Sequence, residues 1–111
     1  MRSLAIGGQA VRAKGIRELL DRDGVCRDIA DYLVRHNEAA DTVSGIAEWW
    51  INREIPQTAN ALTKLREHGV VRSHVVQETS SVYTLTKSRF IRETLRQYVE
   101  QLRSADEVEP R

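Results

Sequence analysis

Apolar residues recur at helical spacing in several separate stretches of this 111-residue chain, and β-branched runs interrupt them once. From Ala13 onward, Ile16, Leu19 and Leu20 predict a first helix that stops at Asp23-Gly24. Val25, Ile29, Tyr32 or Leu33, and His36 form one stripe of a second helix, which fades at His36-Asn37. Ser44 stands where an N-cap is needed, before a short helix with Ile46, Ala47 and Trp50 on one side. Asn52-Arg53-Glu54 breaks that helix. Pro56 then suits the first turn of the next, where its missing N–H would be unpaired anyway. Ala59, Leu62 and Leu65 give this helix its buried side, and Gly69 ends it. Residues 70–77 and 82–86, rich in Val, Thr and Tyr, predict an antiparallel hairpin around Glu78-Thr79-Ser80-Ser81. Thr86 or Ser88 caps a last helix with apolar Ile91, Leu95, Tyr98, Val99 and Leu102. Residues 1–12 are expected to be a flexible arm and 104–111 a polar tail.

The expected fold is mainly α with a small antiparallel β-hairpin, in one domain over residues 13–103. Two helices joined by a tight turn, with a hairpin directly behind, make a winged helix-turn-helix with flanking N- and C-terminal helices. The helix-turn-helix covers 44–69, the wing 70–86 and the last helix 87–103. The stretch from Ser44-Gly45-Ile46-Ala47-Glu48-Trp49-Trp50 through Pro56 to Val71 resembles the core of winged-helix transcriptional regulators of the ArsR and MarR type. Leu62-x-x-Leu65-Arg66-Glu67-x-Gly69-Val70-Val71 carries most of that resemblance, and Tyr83-x-Leu85-Thr86 is similar to the returning strand of their wing. The resemblance spans residues 25–103 and is specific for the superfamily rather than for one family. It implies a homodimer that binds double-stranded DNA, with the last helix pairing with its counterpart across a two-fold axis. The breadth of that helix's apolar face agrees: Phe90 and Thr94 widen the Ile91, Leu95, Tyr98, Val99 and Leu102 stripe beyond what one edge helix needs.

Charge adds direction. The net charge is only +1, but residues 51–92 hold seven Lys or Arg against three Asp or Glu. A locally basic stretch suits a surface that meets phosphates and displaces their counterions. On the 56–68 helix, Gln57, Asn60, Ala61, Lys64 and His68 are expected to face outward, opposite Ala59, Leu62 and Leu65. Amides can contact adenine, Thr58 can pack on a thymine methyl, and a small Ala61 lets the backbone approach the groove floor. The expected base readers are therefore Gln57, Thr58, Asn60, Ala61 and Lys64. Arg53, Arg72 and Lys87, with His74 on the first wing strand, are expected to hold the DNA backbone. The acidic Glu78 makes the wing tip a poor phosphate contact.

Other chemistries find little support. Cys26 is the only cysteine, so no internal disulfide or single-chain thiolate zinc site is expected, and His36, His68 and His74 are scattered. No metal or cofactor is expected. No phosphate loop, metalloprotease pair or nucleophilic triad occurs, and no enzymatic activity is expected. Asp21, Asp23, Asp28 and Asp31 sit among Arg22, Arg27 and Arg35, as in solvated helix faces with local ion pairs. Trp49 and Trp50 are adjacent, so one anchors the core and the other is exposed or covered by a subunit. No apolar run approaches a membrane span or secretory signal, and an intracellular, cytoplasmic protein is expected. The expected activity is transcriptional regulation, by default repression through promoter blocking. The rival is a winged-helix adaptor that binds proteins, favoured by the near-zero net charge and acidic wing tip.

Overall fold

The computed structural model describes the backbone of residues 2–77 and 80–107, and the side chains of residues 8–76 and 80–104. Its elements run α1 (Arg2–Arg22), α2 (Gly24–Arg35), β1 (Ala40–Asp41), α3 (Val43–Gly45), α4 (Ile55–Glu67), β2 (Val71–Gln77), β3 (Ser80–Leu85) and α5 (Arg89–Glu107). A π-helical turn, Ile46–Trp50, continues α3 without a break. The mainly α architecture with an antiparallel wing is as expected.

Several boundaries differ from the expectation, each for a local reason. The first dozen residues are not an arm, because α1 is helical from Arg2. Ala13, Ile16, Leu19 and Leu20 anchor its second half in the core, and an anchored helix propagates outward at little further cost. Gly24 opens α2 rather than stopping α1. Its N-cap is Asp23, whose carboxylate accepts from the Val25 and Cys26 amides at 3.0 and 3.1 Å. Ser44 is not the cap of the short helix; Thr42 is, accepting from the Gly45 amide at 3.2 Å. At the other end, α5 runs on to Glu107, so the expected polar tail begins as helix, and residues 108–111 lie outside the described ones.

The hairpin gains a third strand. β1 pairs antiparallel with β3 through Ala40–Thr84 and Asp41–Tyr83, giving the order β1-β3-β2 among the described residues. Two residues leave too little alternation to be read from sequence. The wing pairs Val71 with Leu85, Arg72 with Thr84 and His74 with Val82, and slips register between Val75 and Gln77. Strand alternation turns Val71 and Leu85 into the core, and turns Arg72, His74, Val82 and Thr84 to the opposite side.

One core joins all the layers. Leu20, Ile29, Leu33, Ile46, Leu62, Leu65, Ile91 and Leu95 are fully or almost fully buried within it. Each such side chain stabilises the fold by about 1.5–3 kcal/mol on burial. The α5 stripe expected at a dimer interface is spent here: Ile91, Leu95, Tyr98 and Val99 are all buried within the chain. They pack against α2 and α1, and the Tyr98 hydroxyl donates to Asp21 at 2.6 Å. Burial, then the Asp21 bond and charge, push the Tyr98 phenol up from its ordinary value. Only Leu102 of the expected set stays partly open, at 36%. The free side of α5 is polar, with Arg96 paired to Glu93 and Glu100.

Candidate nucleic-acid interface

α4 leaves the turn Asn52-Arg53-Glu54, where Asn52 takes the left-handed backbone (φ 55°) that asparagine tolerates better than most residues. The buried stripe of α4 is Thr58, Ala61, Leu62 and Leu65, rotated from the expected Ala59, Leu62 and Leu65. Thr58 and Ala61 are 0% and 1% exposed, so neither can touch a base. Thr58 is buried at low cost because its hydroxyl donates to the Glu54 carbonyl at 2.9 Å. Ala61 is small enough to let α2 approach, and its carbonyl accepts the Cys26 thiol at 3.6 Å.

With the stripe rotated, helical geometry at about 100° per residue aims Pro56, Asn60, Thr63 and Glu67 directly outward. All four are exposed, as is Gln57 at the margin. Thr63 was missed by sequence reading, although its spacing of three from Asn60 would have found it once the stripe was placed correctly. His68 does not join this face: it is half-buried, with its Nδ1 2.9 Å from the Lys64 carbonyl.

The two cations expected here are both tied to carboxylates behind the face. Lys64 donates to Asp23 at 2.9 Å, and Arg53 donates twice to Asp28 at 2.9 and 2.8 Å. Burial pushes the Asp23 carboxyl up, but the Lys64 hydrogen bond, the Cys26 amide, the Lys64 charge and the Val25 amide outweigh it. The carboxyl ends below its ordinary value, and the same bond raises Lys64. Both ion pairs are partly solvent-exposed.

Beside the start of α4 lies a concavity of about 500 Å³, lined by Thr42, Val43, Ser44, Ile55, Ser80, Ser81 and Tyr83. It forms a saddle between the helix-turn-helix and the wing. Five of its seven side chains carry hydroxyls, which hydrogen-bond phosphate without adding charge. From sequence, Ser80 and Ser81 stand only as wing-turn residues; the fold brings them together with Thr42, Val43, Ser44, Ile55 and Tyr83. Glu78, the expected acidic wing tip, lies outside the described residues.

Arg72, His74 and Lys87 are exposed, but they do not share this surface. Ser73 lies on the α4 side of β2, 3.4 Å from the Arg66 guanidinium, so Arg72 and His74 face the other way. They line a separate groove with Lys87, Arg92 and the segment Asn37–Ala39.

Two further expectations resolve. Trp50 is half-buried and stacks on Tyr32 with ring centroids 4.5 Å apart, while Trp49 is 74% exposed. Cys26 is fully buried, and burial first, then the Asp23 charge and hydrogen bond, push its thiol up to about 12. Fully buried, with its thiol on the Ala61 carbonyl, Cys26 packs as a core residue. Among the described residues no group of three His, Cys, Asp or Glu could hold a metal ion, and no helix is long and apolar enough to cross a membrane.

No protein-family model matches the sequence, and no curated relative does. Solved structures do match. The homodimeric winged helix-turn-helix DNA-binding domain of Mb0332 from Mycobacterium bovis, a possible ArsR-family transcriptional regulator, has a TM-score of 0.61 at 20% identity, covering 96% of this chain and 86% of that one. MepR, a transcription regulator of the Staphylococcus aureus multidrug efflux pump MepA, has a TM-score of 0.57 at 16% identity, covering 99% and 84%. A MepR point mutant bound to an oligodeoxyribonucleotide has a TM-score of 0.59 at 20% identity, covering 98% and 80%. At these identities the likeness is one of fold. The chain has the winged helix-turn-helix fold of these transcription regulators, with α3 and α4 as the helix-turn-helix and β2–β3 as the wing.

Proposed function

We propose that this protein is a duplex-DNA-binding transcriptional regulator that works as a homodimer and reads base edges with α4. The observation that carries the reading is the outward face of α4, where Gln57, Asn60 and Thr63 stand exposed beside the hydroxyl-lined saddle. Amides and a hydroxyl on a major-groove helix recognise base edges, and the saddle accepts the adjoining backbone. Arg53 and Lys64 serve as phosphate contacts by exchange. Exposed ion pairs are worth about 0–1 kcal/mol, so a phosphate competes readily with Asp28 or Asp23. The likeness in fold to a MepR mutant bound to an oligodeoxyribonucleotide supports the same reading. Occupying a promoter excludes other proteins without any further activity, so repression is the mode proposed.

The second copy docks on the first half of α1. Gly8 to Arg12 are exposed on every side, Val11 at 72%. Exposed apolar surface on a helix already anchored in the core is area that a second copy can remove from water. A partner's matching helix supplies the cover.

The test is fluorescence anisotropy of labelled genomic duplex fragments at about 50 and 200 mM salt, with wild type and a folded Gln57→Ala, Asn60→Ala, Thr63→Ala variant. Sub-micromolar, salt-sensitive binding to particular fragments, weakened at least about tenfold in the variant, is expected. Absence of binding at low salt by folded wild type overturns the reading in favour of a protein-binding adaptor.

A further inference from the structure

The groove on the outer side of the wing sheet has chemistry of its own. It measures about 280 Å³ and is lined by Arg72 and His74 from β2, Thr84 and Leu85 from β3, Lys87 and Arg92 around the start of α5, and Asn37–Ala39 from the α2–β1 connection. Three permanent cations face one carboxylate, Glu38. Among the described residues no carboxylate lies within ion-pair distance of Arg72, Lys87 or Arg92, in contrast to Arg53 and Lys64 on the DNA side. Arg92 is held in place by its Nε, which donates to the Thr86 carbonyl at 2.7 Å. Its terminal nitrogens make no hydrogen bond among the described residues.

We propose that this groove binds a small phosphate-bearing anion of the phosphomonoester class. A local excess of two positive charges matches a phosphomonoester, which carries about −1.5 to −2 at neutral pH. Guanidinium forks suit phosphate oxygens, Lys87 adds a point charge, and the Asn37 amide and Thr84 hydroxyl offer neutral donors. At about 280 Å³ the groove falls just below the usual ligand-site range of about 300–1,000 Å³, so the ligand is a compact one. A duplex phosphate is the weaker fit. The groove opens on the face of β2 opposite Ser73 and α4, so DNA lying on α4 and the saddle does not reach it. Because one ligand would bridge β2, the start of α5 and the α2–β1 connection, it would also tie the base of the wing to the helical layer.

The experiment is isothermal titration calorimetry with phenyl phosphate, without DNA, on wild type, on Arg72→Gln/Lys87→Gln, and on Arg17→Gln/Arg22→Gln as a charge-matched control on exposed α1 positions. All the altered side chains are exposed, and thermal unfolding checks that each variant folds. Saturable binding of one ligand per chain, weakened about tenfold or more in the groove variant and about twofold or less in the control, is expected for lost charged hydrogen bonds. Equal weakening in both variants marks diffuse attraction and overturns the proposal. So does absence of binding by wild type. The same variants are titrated with duplex DNA: a groove variant that loses DNA affinity and salt dependence, with no phenyl phosphate binding in wild type, assigns the groove to the DNA backbone instead. The calorimetry contains no DNA, so its outcome is independent of whether α4 reads bases.

Discussion

Asp23 joins three parts of the molecule through one carboxylate. Oδ1 caps α2 by accepting from Val25 and Cys26, and Oδ2 accepts from Lys64 on α4. Losing the cap in Asp23→Ala should cost about 0.5–2 kcal/mol, read as a shift in the urea midpoint at neutral pH. The pH dependence follows from the direction of the shift. The folded carboxyl lies below its ordinary value of 3.8, so its stabilising contribution is complete above that value and is lost as pH falls through the lower, folded one. The gap between wild type and Asp23→Ala should therefore narrow from about pH 4 downward, while Asp23→Asn, which keeps a capping oxygen, should lie between them at neutral pH. A gap that stays constant in acid would separate the cap from the charge. Asp23 and its neighbours were legible as a charged stretch. Which cation each would meet was not, since Lys64 lies 41 residues away.

At the scale of elements, the ends of α4 were easier to read than its faces. Pro56 and Gly69 punctuate the chain through their own backbones, whatever surrounds them. Gly69 takes φ +78°, and a Cβ there would also lie 3.4 Å from the Ile91 side chain. Gly69→Ala should destabilise by about 1–2 kcal/mol from the left-handed backbone, measurable by thermal unfolding. An unchanged midpoint would mean that the turn relaxes out of that conformation. The faces depended on a polar residue being buried. Thr58 satisfies its own hydroxyl within the helix, and so the stripe includes a side chain that hydropathy assigns to water. That rotation moved two expected base contacts inside and brought Thr63 out. β1 and the π-turn at Ile46–Trp50 were invisible for a different reason. Two strand residues show no period, and a π-turn differs from α only in which carbonyl each amide meets.

For the whole molecule, the decisive fact is where α5 spends its apolar side. Its apolar stripe packs on two neighbours within the same chain, α1 and α2. The dimer proposed here rests on the first half of α1. Val11→Glu should shift the protein toward monomer in sedimentation velocity while leaving the unfolding temperature of the monomeric domain almost unchanged, because Val11 is 72% exposed. A variant that sediments like wild type would remove α1 from the interface.

By itself, the sequence determined the order of the main helices and the two wing strands, the helix-turn-helix with its wing, and the residues at which the chain turns. These follow from short-range physics: hydrophobic period, proline and glycine backbones, and β-branched runs. Only the tertiary structure decided which polar residues meet one surface. It paired Arg53 and Lys64 with acids on the α1–α2 side. It also turned Arg72, His74 and Lys87 away from α4 into a groove of their own, and buried the α5 stripe. The reason is physical: a side chain's partner across the fold depends on the rotation of whole helices and the alternation of strands, and neither is written in the spacing of any one segment.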